Sequence, residues 1–162
     1  VASAVAEEKA EEEVAVGIGE FVFGVRIKKK SVIEAIARAE MGTSGEIRVH
    51  LSHEKIEKDL VGHARGHFER LGMHQTRFRN GILLYVNPKL RKFAIYGDEG
   101  IHKKVGPDFW SGLATRVSKH IREKNLTEGI IHAVEALGAA LKEHFPAEGP
   151  NSNELSNEIT ED

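Results

Sequence analysis

Asp98 and Glu99 stand side by side between Gly97 and Gly100. Adjacent carboxylates in a loop whose glycines allow close backbone approach are the residue types that hold a hard divalent cation through oxygen, with water completing the shell. Glu46, Arg79 and Asn80 would join them if the strands that carry them end at one sheet edge. Glu46, Asp98 and Glu99 are then the candidate metal ligands, for calcium or magnesium, and Arg79 is a candidate grip for an anion such as phosphate. A plainer use of the same residues is that Asp98 and Glu99 cap the following turn while Arg79 neutralises one of them. The nine histidines offer a second chemistry, since His63 and His67 lie four apart on a helical stretch and His74 is a candidate third ligand. A zincin helix needs Glu directly after its first His, and here Ala64 follows His63, which favours a solvated helix face.

Other chemistries fall away on composition. There is no cysteine, which excludes thiol nucleophiles, cysteine-bound zinc and disulfides. The chain has no G-x-S-x-G elbow, no G-x-x-x-x-G-K-[ST] loop, and no G-x-G-x-x-G between strand and helix. No motif places a histidine or serine beside the carboxylates, so no catalytic residue is assigned. The formal net charge of -2 conceals two acidic ends around a basic body, with five Glu against Lys9 in residues 1–13 and five acids and no base in residues 147–162. Lys103, Lys104, Arg116, Lys119, Arg122 and Lys124 make a basic surface that a nucleic acid would require, but interleaved Glu and the lack of exposed aromatics argue for a solvated face.

The elements that must position these residues follow from periodicity. Ser31 and Glu34 form a capping box, and Val32, Ile33, Ile36 and Ala37 continue at helical spacing to Gly42. Residues 45–52 alternate, with Ile47, Val49 and Leu51 on one face and Glu46, Arg48 and His50 on the other, as in a half-buried strand. Residues 56–71 return to helical period through Ile56, Leu60, Ala64, Phe68 and Leu71. The continuous apolar run Ile82 to Val86 predicts a central strand, and Asn87-Pro88 predicts a type I turn into a strand at Lys92 to Tyr96. After a loop at 97–106, Pro107 opens one helix and Thr127 caps another. The order α-β-α-β-β-α-α predicts an α/β fold, a three-layer α/β/α sandwich on a small mixed sheet.

Residues 31–146 are the predicted domain. Residues 1–30 are an extension, first a Glu/Ala-rich frayed helix or disordered stretch, then a Gly-containing apolar stretch, Val14 to Ile27, that either packs on the domain as a strand or is an appendage. Residues 147–162 predict an acidic flexible tail. No apolar run is long enough to span a bilayer as a helix, and no export signal is read, so a soluble cytoplasmic chain is expected.

Three blocks in order carry a family resemblance: Thr43-Ser44-Gly45-Glu46-Ile47-Arg48-Val49, then Arg79-Asn80-Gly81-Ile82-Leu83-Leu84-Tyr85-Val86, then Arg91 through Ile101 with Gly97-Asp98-Glu99-Gly100 inside it. The chain resembles the TPM domain, named for a plant thylakoid-lumen protein, a photosystem II repair protein and a nematode receptor modulator. Leu71-Gly72-Met73-His74, Pro107-Asp108-Phe109-Trp110 and Asn153-Glu154-Leu155 resemble its soluble bacterial branch. The resemblance implies an α/β/α sandwich, divalent-cation binding in some members, and acid phosphatase activity attributed to some plant members. It places Glu46 and Glu99 on acidic positions of the family blocks. Members often carry Asp where this chain has Arg79, and a guanidinium there repels a cation or pairs with Asp98.

The expectation is a binding domain without turnover, with a protein or a small anionic ligand as partner and a weak cation as the other occupant of the acidic edge. The alternatives are a metal-assisted acid phosphatase, with Glu46, Asp98 and Glu99 holding the ion and Arg79 the phosphate, and a nucleic-acid-associated protein using the basic body.

Overall fold

The computed structural model describes residues 27–55, 59–148 and 155–162, and the backbone of the strand Ala4–Lys9. In chain order the elements are β1 (Ala4–Lys9), α1 (Lys29–Glu40), β2 (Glu46–Leu51), α2 (Leu60–Arg70), a 3-10 turn at Met73–Gln75, β3 (Gly81–Asn87), β4 (Lys92–Gly97), α3 (Glu99–Val105), α4 (Pro107–Glu123), α5 (Leu126–His144) and β5 (Thr160–Glu161). The strands form one mixed sheet in the order β1-β4-β3-β2-β5. β2 and β3 are parallel and joined through α2, while β3 and β4 form an antiparallel hairpin. Asn87 closes that hairpin by accepting the Leu90 N–H at 3.2 Å on Oδ1.

The sheet has helices on both faces, as the element order predicts. On one face Ile47, Val49, Ile82, Leu84 and Ile95 pack against a layer that includes Ile36 of α1, Trp110 of α4 and Leu137 of α5. On the other, Leu83, Tyr85, Ala94 and Tyr96 pack against Leu60, Ala64 and Phe68 of α2 and against Met73. The central strand β3 is buried along its whole length, which is why its sequence does not alternate.

Several local expectations are corrected. α1 starts at Lys29 rather than after Ser31, because the Lys28 N–H is taken by Thr127 Oγ1 at 3.2 Å and a tertiary contact replaces the capping box. Thr127 is therefore no cap, and Asn125 caps α5 by accepting the Glu128 N–H at 2.9 Å. The stretch read as a loop at 97–106 contains α3, whose seven residues are too few to show a period. The first thirteen residues include β1, antiparallel to β4, rather than a frayed helix. Residues 155–162 return to the sheet, where Thr160–Glu161 pairs in parallel with His50–Leu51. That return helps explain why β2 is buried on both faces despite its alternation: on the polar side Arg48 and His50 meet this segment, while Glu46 meets Glu40 of α1. Val14–Val25 and Ile56 lie outside the described residues. Among the described residues no helix is long and apolar enough to cross a membrane.

Candidate functional site

Parallel β2 and β3 and the returning β4 bring the start of two strands and the end of a third to one edge. Glu46 stands opposite Gly81 in the register, and Asp98 donates its N–H to the Gly81 carbonyl at 3.0 Å. Arg79 precedes β3 in the left-handed backbone region at φ 52°, which non-glycine residues seldom occupy. Its guanidinium grips Asp98 with two bonds, Nε to Oδ2 at 2.7 Å and Nη2 to Oδ1 at 2.9 Å. Asp98 Oδ1 also accepts the Glu99 N–H at 2.8 Å, so the residue caps α3 while it holds Arg79. The Arg79 carbonyl accepts the Gly100 N–H at 2.9 Å, and any side chain at Gly100 would strike the Phe78 and Arg79 carbonyls. The start of α3 is thus locked onto the Arg79 loop.

The electrostatics follow from burial. The Asp98 side chain is 3% exposed while that of Arg79 is 42% exposed, so a buried carboxylate is neutralised by a cation that still faces water. Hydrogen bonding to Asp98 pushes the guanidinium further above its ordinary range. Glu99 lies at the rim, with Oε1 3.6 Å from Arg79 Nη1. Asn80 is buried and donates to Ser44 Oγ at 3.1 Å, and its Oδ1 has no hydrogen-bond partner among the described residues.

Glu46 has other company. Glu40, at the end of α1, accepts the Ile47 N–H at 2.8 Å. Burial pushes its carboxyl up to about 8, a shift that the charge of Glu46 and a hydrogen bond to it reinforce. Glu40 and Glu46 thus form a hydrogen-bonded pair of carboxyls beside Arg48. Burial lowers the Arg48 guanidinium, with Glu46, Glu40 and Glu158 opposing that shift, and Arg48 Nη2 donates to the Ser156 carbonyl at 3.1 Å.

A hard cation does not fit the predicted ligand set in this arrangement. Calcium takes about six to eight oxygens, whereas the Asp98 oxygens are committed to Arg79 and to the cap, and Glu46 belongs to the Glu40–Glu46–Arg48 cluster. Arg79 supplies the positive charge that a metal would bring. Its geometry suits an anion instead: of the five N–H donors of a guanidinium, Asp98 uses two and three remain at a half-exposed edge. Phe78, the residue before it, is 46% exposed and carries the Arg77 guanidinium over its ring at 5.0 Å.

A second polar centre lies farther along the same side of β2. His50 and His67 stack at 4.2 Å between ring centroids, with Tyr85 against both. Asp162 reaches them, its Oδ2 lying 3.1 Å from His50 Nε2 and 3.8 Å from His67 Nε2. Helical spacing groups His67 with His63, and His74 follows as a third candidate. The fold instead turns His67 inward and leaves His63 exposed, with Nδ1 at its own helix backbone, 3.0 Å from the Asp59 carbonyl. One signal for this was legible, because His67 falls on the apolar stripe of α2 with Leu60, Ala64 and Phe68. Nothing in the sequence pattern placed Asp162 beside it.

Comparison with known proteins agrees with this architecture. The TPM domain, a family labelled TPM phosphatase, matches residues 26–140. The NMR structure of BA42 protein from the psychrophilic bacterium Bizionia argentinensis is similar at 36% identity and a TM-score of 0.76, covering 83% of this chain and 92% of that one. No curated protein matches.

Proposed function

The chain belongs to the TPM domain family, and we propose that it works by binding, with Arg79 as the anion contact of a mixed-charge site that also contains Glu99 and is braced by Asp98. The ligand class is a carboxylate or phosphate group carried beside an apolar one, matched to Arg79 and the exposed Phe78. The observation that carries this reading is the bidentate Arg79–Asp98 pair. It uses the carboxylate that a metal-assisted hydrolase would need for its ion, and it fixes a guanidinium with donors to spare. Glu40 has a carboxyl raised far enough to serve as an acid, but it is 2% exposed and tied to Ile47 and Glu46, which makes it a structural group.

The test uses the full chain, with inorganic phosphate and a generic aryl phosphate as probes. Amide and guanidinium NMR resonances of Arg79, Glu99 and Gly100 should shift with either probe, and Arg79→Ala should abolish the shifts. Aryl phosphate turnover with calcium, magnesium or manganese, from acidic to neutral pH, should not exceed that of Asp98→Asn. Turnover that disappears in Asp98→Asn and Glu99→Gln would replace this reading with the phosphatase one.

A further inference from the structure

We propose that His50, His67 and Asp162 form a binding site for a zinc-type transition metal ion, separate from the Arg79 edge and joining three segments distant in sequence. The donor set is two imidazoles and one carboxylate, a combination suited to zinc, cobalt or nickel rather than to calcium or magnesium. The three ligand atoms all lie within 4.8 Å of one another. Tetrahedral zinc with ligands at about 2.0–2.1 Å sets neighbouring ligand atoms about 3.4 Å apart. The separations to Asp162 Oδ2, 3.1 and 3.8 Å, bracket that distance.

The groups around the ligands are already arranged for this. Among the described residues His67 Nε2 is buried without a hydrogen-bond partner, an uncompensated polar atom that a metal would satisfy. His50 Nδ1 meets Thr160 Oγ1 at 2.7 Å, which fixes its ring and leaves Nε2 for the ion. Asp162 Oδ1 accepts the His53 N–H at 2.7 Å, which holds the carboxylate and leaves Oδ2 directed at the imidazoles. The Asp162 side chain is 21% exposed, so an ion has an entrance and water can fill a fourth position. Bound metal would pin residues 155–162 against β2, the covering that turns the polar side of that strand into interior.

The experiment is calorimetric and NMR titration of the full chain with zinc alone. One ion should bind per chain, the ring nitrogens of His50 and His67 should shift while His63 does not, and amide exchange should slow at Arg48–Leu51 and Thr160–Asp162. His67→Phe, which keeps the stack and removes the ligand atom, and Asp162→Asn should each weaken binding by more than about 10-fold. His63→Ala should leave it unchanged, and the shifts of the His50 and His67 ring nitrogens distinguish this centre from the anion site. Absence of zinc binding, or shifts at other histidines only, would overturn the proposal even if a variant fails to fold, because the wild-type nitrogens report directly.

Discussion

The Arg79 edge and the His50–His67–Asp162 centre both gather charged and polar groups around a carboxylate, yet they balance it differently. At the edge the counter-charge is covalently part of the chain, and the carboxylate, capping N–H and guanidinium satisfy one another. At the centre His50 engages Asp162 while a second imidazole nitrogen is left buried and unsatisfied. A satisfied cluster contributes stability and offers only its outer face to a ligand. An incompletely satisfied one is poised to take something inside.

Glu40 links the two regions, since Glu46, Arg48 and His50 share one side of β2, and it gives the largest expected effect. The folded chain holds the Glu40 proton up to a pH of about 8, whereas the unfolded carboxyl ordinarily loses it near 4.5. Between those values the folded state binds more protons, so stability falls as pH rises through this window and levels off above it. The loss is on the order of a few kcal/mol. Denaturant melts across that range should show the slope in the wild type and a flatter profile in Glu40→Gln.

Next in size is the edge itself. Arg79→Ala leaves the buried Asp98 charge without its partner, and the expected cost is about 2–3 kcal/mol. This is below the ~3–5 kcal/mol of a fully buried pair, because Arg79 is already half-exposed and screened. Asp98→Asn retains the capping oxygen and removes the charge, with an expected cost of about 1–2 kcal/mol. Equal losses for the two variants in chemical denaturation would contradict the asymmetry of burial from which these values follow.

The smallest effect is at the histidine centre without metal. His67→Phe replaces an imidazole whose Nε2 makes no hydrogen bond among the described residues and preserves the ring stack, so the change should stay below about 1 kcal/mol. Zinc should widen the gap between wild type and this variant, because only the wild type holds both imidazole ligands. If His67→Phe were costly in metal-free buffer, the contrast between a satisfied and an unsatisfied cluster would not hold.

Much of the fold was legible because the signals were local. The alternation of β2, the continuous apolar run of β3, the Asn87-Pro88 turn and Pro107 each act through neighbours in sequence. The convergence of Arg79, Asp98 and Glu99 followed from strand direction alone. What escaped depended on distant partners. Ser31 lost its capping role because Thr127 reaches Lys28, and the polar face of β2 became interior because residues 155–162 cover it. His50 and Asp162 are 112 positions apart, and no periodicity connects them.

The most direct test of the anion-site reading is a pair of NMR titrations of the full chain and of Arg79→Ala, one with phosphate and one with calcium. Phosphate should move the Glu99 and Gly100 amides in the wild type only, and calcium should move them in Arg79→Ala only, once Asp98 is released. Calcium shifts of equal size in both chains, with no response to phosphate, would contradict it.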